Sequence, residues 1–185
     1  MNLAARPASP DDAERIAQIY NEGIEDRLGT FETRLRSTSD VRTWFDGVHP
    51  IVVVEGETAG ETHAGTAEGR GRGPAARIIV AFASTSTYRA RECYAGIAEF
   101  SVYVARRARG IGAGRIAMQA LIDAAAHAGI WKLVSRVFVE NTASRKLLAS
   151  VGFREVGIYE KHAQLDGRWR DVVIVERPIP ENIRQ

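Results

Sequence analysis

The 185-residue sequence predicts one mixed α/β domain, with a central sheet flanked by helices rather than a regular doubly wound fold. Three observations carry that expectation. A helical pattern opens the chain, short apolar strand-like runs follow, and helical patterns return only between the later strands. The length suits a single compact core. With 45% hydrophobic and 26% charged residues, the composition is that of an ordinary globular protein and excludes a disordered chain. No internal repeat is visible.

Ser9-Pro10-Asp11-Asp12 reads as a helix start, with a Ser cap, Pro in the first turn and carboxylates at the positive dipole end. Ile16, Ile19, Tyr20 and Ile24 follow at helical spacing and are expected to face the core. A short second helix is predicted from Ser39-Asp40 through Trp44 and Phe45, ended by His49-Pro50. Ile51–Val54 reads as a buried strand. Residues 55–77, densest in glycine over Glu55–Ala76, hold little that is large and apolar and are expected to form a flexible inter-strand loop. Arg70 and Arg72 within it read as solvated, with contact to an anion as the alternative.

Strand signals resume at Ile78–Phe82 and Ile97–Val104. Gly112–His127 reads as a helix with Ile116, Ala120, Leu121 and Ala124 as its apolar stripe, stopped at Gly129. Trp131–Val139 reads as a strand, and Asn141–Ser150 as a short helix capped by Asn141. Two closing strands near Phe153–Lys161 and Trp169–Glu176 flank a turn at Asp166-Gly167.

The charge balance narrows the function classes. Twenty-five Lys+Arg against 23 Asp+Glu leave +2, which argues against a dedicated nucleic-acid binder. No apolar run reaches the roughly 20 residues that cross a bilayer, and Met1–Arg6 has no signal-like apolar core, so no membrane association and a cytoplasmic location are expected. The single cysteine, Cys93, excludes an internal disulfide.

Arg109-Gly110-Ile111-Gly112-Ala113-Gly114-Arg115 lies between a strand and a helix. Glycines allow close backbone approach, and free N–H groups at a helix start attract negative charge, so a pyrophosphate fits. Arg106, Arg107, Arg109 and Arg115 add positive charge. The turn lacks the Gly-Lys-Ser/Thr ending of a nucleoside triphosphate loop. It also falls past mid-chain in a mixed sheet, unlike a dinucleotide fingerprint. A tight turn with a solvated Arg run is the structural alternative.

With Arg109, Gly112 and Gly114 after Val102-Tyr103-Val104, and with Asn141-x-x-Ser144 before Val151-Gly152-Phe153, the chain resembles the GNAT superfamily of N-acetyltransferases. Ile19-Tyr20-Asn21, Tyr88-Arg89-Ala90-Arg91, Ala98–Val104 and Gly167–Val172 look like the phosphinothricin acetyltransferase group. Arg91–Ile97 and Tyr159-Glu160-Lys161-His162 are most similar to its arsinothricin resistance branch. The resemblance implies a single domain (residues 1–185) with a mostly antiparallel sheet, acetyl-CoA as co-substrate without a metal, a small amino-acid-like amine as acceptor, and a homodimer.

It also implies roles. Glu99 matches the group's catalytic base, with a structural carboxylate or an ion pair to the acceptor's amine as the alternative, and alternation sets Glu99, Ser101 and Tyr103 on the face opposite Ala98, Phe100, Val102 and Val104. Backbone at Val102, Tyr103 and Val104, the turn Arg109, Gly110, Ile111, Gly112, Ala113, Gly114, Arg115, and Asn141 are expected to hold the coenzyme; helix capping alone also accounts for Asn141. Arg89 and Arg91, at alternate positions of an expected strand, share one face and suit a phosphinate, arsinate or carboxylate, with plain exposed strand-edge charge as the alternative. Phe31 and Tyr94, with Trp44, are expected to wall the acceptor pocket, although core packing accounts for such aromatics too. Leu148 stands where many superfamily members carry a thiolate-protonating Tyr, which leaves Tyr159 as a candidate; His162 reads as a hairpin surface residue.

Overall fold

A computed structural model describes residues 2–57 and 77–183. The strands are β1 Leu3–Pro7, β2 Ile51–Glu57, β3 Arg77–Thr87, β4 Ile97–Val104, β5 Lys132–Phe138, β6 Arg154–Leu165 and β7 Arg168–Pro178. The helices are α1 Ala13–Glu25, α2 Thr38–Arg42, α3 Ala113–His127 and α4 Thr142–Ser150. One seven-stranded sheet runs β1-β2-β3-β4-β5-β7-β6. Every neighbouring pair is antiparallel except β4 with β5.

The expected elements form with four corrections, the first being that α2 ends at Arg42, so Trp44 and Phe45 lie past the helix that was expected to carry them. β1 is an additional edge strand on β2; it ends in Pro7, tolerable only where a sheet needs no further N–H. β2 continues through Glu57 and β3 begins at Arg77, so both ends assigned to the 55–77 loop are sheet. The rest of that segment, with Arg70 and Arg72, lies outside the described residues. The buried face of α3 centres on Ala113, Ala117, Met118, Leu121 and Ala125, one step round the helix from the expected stripe; Ile116, Ala120 and Ala124 are only partly covered.

Ile16, Ile19 and Ile24 of α1 are all but fully buried, each stabilising by about 1.5–3 kcal/mol relative to exposure. The Asp166-Gly167 hairpin closes through a two-residue turn with positive φ at both positions, the twist-compatible kind. At the start of α1, both carboxylate oxygens of Asp12 accept from Arg6 at 2.8 Å. That bonding holds the Asp12 carboxyl below its usual 3.8, against the opposing effect of burial. A carboxyl depressed in the folded state stabilises above its unfolded value, and the contribution disappears as pH falls through the folded one. Asp12→Asn is therefore expected to flatten the loss of stability below about pH 4, measured by urea unfolding across pH 3–6.

The feature that positions the site is the parallel pair. β4 and β5 are in register only over Ile97–Glu99 with Lys132–Val134. Beyond that point β4 stays on β3 to Val104 and β5 stays on β7 to Phe138. The two strands therefore part, and Glu99 stands at the fork.

Candidate active site

Backbone direction within the fork follows from two hydrogen bonds. Ala105 N–H donates to the Val80 carbonyl on the β3 side at 2.8 Å, whereas the Gly96 carbonyl accepts from Trp131 N–H on the β5 side at 2.8 Å. Backbone polar groups alternate sides along a strand. Ser101 and Tyr103 thus spend theirs on β3, and Val102 and Val104 turn theirs into the gap. The Val104 carbonyl accepts a long 3.4 Å bond from Arg109 Nε.

The glycine turn closes one end of a cavity of about 1020 Å³ that fills the fork. Gly110 and Gly112 have φ of +80° and +90°, a conformation that costs other residues about 1–2 kcal/mol. Gly112 caps α3, whose first N–H groups have no partner within the helix and face the cavity end. At Gly114 a Cβ would stand 3.0 Å from Leu147 and 3.2 Å from Val104, so glycine keeps α3, α4 and β4 close there. Arg109, Gly110, Gly112, Ala113, Gly114 and Arg115 line the cavity. Ile111 does not and is solvent-exposed.

The arginines divide in a way the spacing did not reveal. Arg106 pairs with Glu25 and Asp26, and Arg109 also pairs with Asp26, so both are held by the end of α1. Burial pushes the Asp26 carboxyl up, but the bonds from Arg106 and Arg109 outweigh it and leave the group below its ordinary value. Arg115 and Lys146 line the cavity without an ion-pair partner among the described residues. Asn141 caps α4 by accepting from Ser144 N–H at 3.1 Å, and its Nδ2 donates to the Leu28 carbonyl at 2.8 Å. Both ends of this side chain are engaged, although it lines the cavity.

The other half of the cavity is walled by Thr30, Phe31, Arg34, Glu99, Ser101 and Arg136, among others. Glu99 is half-buried and accepts from Arg136 Nη1 at 2.6 Å. Phe31 stands edge-on to Phe138, with centroids 4.8 Å apart. Tyr103 packs on Tyr20 and Phe82, and burial first, then nearby Tyr20, pushes its phenol far above the ordinary range, so it stays protonated.

Several expected positions need correction. Arg89 and Arg91 are not on a strand; they sit in the exposed connection from β3 to β4, so the shared-face argument does not apply, and neither lines the cavity. Arg89 lies over the rings of Tyr88 and Tyr94, and Tyr94 is likewise outside the cavity lining. Trp44 packs edge-on to Tyr20 as part of the core wall. Leu148 is buried and Tyr159 is outside the cavity, whereas His162 lines it. Sequence reasoning missed Asp26, Arg34, Arg136, Lys146 and His162. Only strand pairing unites Arg136 with Glu99: Glu99 registers with Val134, and Arg136 lies two residues on, on the same face.

The chain is similar to known proteins in both sequence and fold. The model of the acetyltransferase (GNAT) family matches residues 16–153. The phosphinothricin N-acetyltransferase of Streptomyces coelicolor is 31% identical over 182 residues, covering 96% of each chain. The L-methionine sulfoximine/L-methionine sulfone acetyltransferase of Pseudomonas paraeruginosa is 28% identical, covering 95% of this chain and 94% of the relative. In fold, a phosphinothricin acetyltransferase from Sinorhizobium meliloti, solved in complex with acetyl-CoA, superposes with a TM-score of 0.77 over 96% of this chain and 89% of that one, at 24% identity.

Proposed function

This chain belongs to the acetyltransferase (GNAT) family, and from that premise we propose that it moves the acetyl group of acetyl-CoA to the α-amino group of a glutamate-like antimetabolite of the arsinothricin or phosphinothricin type, so conferring resistance. The observation that carries the reading is the fork itself. Its cavity lining has a carboxylate, Glu99, with the glycine turn, Arg115 and Lys146 to one side and Arg34, Arg136 and Phe31 to the other.

The residues fit acetyl-CoA as donor, which supplies a thioester-activated acetyl group. N–H groups of Val102 and Val104 are free to bond an extended arm as an added strand would. The α3 start, Arg115 and Lys146 suit phosphates. Asp26 fixes Arg109 beside Val104. Asn141 contributes by holding α4 and Leu28 at the cavity wall; bonding the donor with Nδ2 requires it to release Leu28.

Glu99 acts on the acceptor. An α-amino group is mostly protonated near neutral pH and must lose a proton before it can attack a thioester. The Glu99 carboxylate accepts that proton, directly or through water. Arg34, which holds Asp40 in an exposed two-pronged pair, is placed to exchange that partner for the acceptor's oxyanion at little cost. A role for Arg89 and Arg91 requires their connection to fold over the cavity mouth.

A thiol-release assay with acetyl-CoA and a panel of amines tests this. Turnover on arsinothricin or phosphinothricin is expected; absence of turnover on every glutamate analogue ends the reading. Faster turnover on methionine sulfoximine selects the second reading, which the Pseudomonas relative favours. The proposal includes a cytoplasmic homodimer, supported by β6, a sheet-edge strand that leaves Val156, Ile158 and Tyr159 more than half exposed. Sedimentation velocity showing only monomer removes that part.

A further inference from the structure

We infer that Arg136 is the specificity-determining partner of Glu99, and that the two together select acceptors carrying a free carboxylate beside the amine, the zwitterion of an α-amino acid. This rests on the acetyltransferase reading above and narrows what its site accepts.

Glu99 Oε1 and Arg136 Nη1 are 2.6 Å apart, each side chain about one-third exposed, and both face the cavity. A base locked in a pair has part of its accepting capacity occupied, which is an odd arrangement if the acceptor is a bare amine. For a zwitterion the same arrangement is complementary. The ammonium approaches Glu99, the carboxylate approaches Arg136, and four alternating charges then form a ring in which every neighbour is opposite in sign. The guanidinium suits this role because its planar fork bonds a carboxylate bidentately. Drawn toward that carboxylate, Arg136 loosens its hold on Glu99, so binding frees the base when it is needed. A primary amine without the carboxylate leaves the Glu99–Arg136 pair closed and gains neither effect.

Geometry supports the pairing being built for a ligand. Glu99 is the last β4 residue in register with β5, and Arg136 lies past the parting of the strands. The pair therefore bridges the two lips of the fork where they begin to separate. Ser101, on the same sheet face as Glu99, also lines the cavity and can bond the remaining carboxylate lone pairs. Arg34 is left for the acceptor's far end.

The test is steady-state acetylation of matched α-amino acids and their α-carboxamides by the wild-type enzyme, Arg136→Gln and Arg136→Lys. The panel holds phosphinothricin, methionine sulfoximine and the proteinogenic amino acids. The wild type is expected to prefer acid over amide by about tenfold or more in kcat/KM, the scale of one charged hydrogen bond. Arg136→Gln collapses that ratio toward one, chiefly through KM of the acid, and Arg136→Lys restores part of it. The inference is overturned if the wild type shows no preference for the acid, or if Arg136→Gln slows acid and amide alike with the ratio kept. An enzyme that ignores both antimetabolites but acetylates another α-amino acid with this Arg136 dependence ends the substrate reading and leaves the zwitterion clamp standing.

Discussion

Replacing Glu99 with Gln is expected to lower kcat by roughly 10²–10⁴-fold while acetyl-CoA affinity stays within about twofold of wild type. The amide keeps the size and shape of the carboxylate and can still accept from Arg136 through its carbonyl, so the fork should keep its form. What it loses is the capacity to take a proton from the acceptor's ammonium. Donor affinity should survive because the groups assigned to the donor are elsewhere. They are the N–H groups of Val102 and Val104, which point into the gap, and the turn at Gly110–Gly114, whereas the Glu99 side chain points to the sheet face shared with Ser101 and Tyr103. Initial rates at saturating acceptor and calorimetric titration with acetyl-CoA separate the two quantities. An unchanged kcat takes the base role from Glu99, and a parallel loss of donor affinity assigns it to the architecture of the fork.

What the sequence made legible was local chemistry. Helix starts at Ser9–Asp12 and Asn141, the turn at Asp166-Gly167 and the glycine cradle all depend on residues close together in the chain, and they appear where the residue types require them. β1 escaped notice because it is short and ends in Arg6-Pro7, with no apolar run to announce an edge strand. The partners of Glu99 and Arg109 were illegible for a different reason. Arg136 is 37 residues from Glu99, and Asp26 is 83 from Arg109. Those pairs exist because a sheet register and the end of α1 bring them together. The Arg106–Arg115 run therefore reads as four cations facing one anion, when two of them are held by the Asp26 carboxylate just past the end of α1. Arg89 and Arg91 were misplaced because alternation implies a common face only within a strand, and this segment leaves the sheet at Thr87.

Gly96→Ala is expected to cost about 3 kcal/mol of stability, at the upper end of what overpacking a closed site costs. A Cβ at Gly96 would stand 1.9 Å from Cε3 and 2.0 Å from Cζ3 of Trp131, well inside any contact distance. The Trp131 main chain cannot step aside to make room. Trp131 N–H donates to the Gly96 carbonyl and its own carbonyl accepts from Ile179 N–H, both at 2.8 Å, so its backbone is fixed between β4 and β7. Relief must come from a rotamer change into solvent or from separating the strands. For a domain of this size the cost corresponds to a fall in melting temperature of roughly 6–12 °C. The functional consequence is larger than that number suggests, because the parallel ladder has only three registered pairs and Gly96 immediately precedes them. Moving its first rung shifts Glu99 relative to the strand that carries Arg136. Thermal melts and kcat/KM should therefore fall together, and pairing Gly96→Ala with Trp131→Leu should recover stability through a favourable coupling, since the added methyl then meets a smaller side chain. A single variant that melts like the wild type would show that the indole swings outward freely, and that the fork is held by β5 on β7 instead.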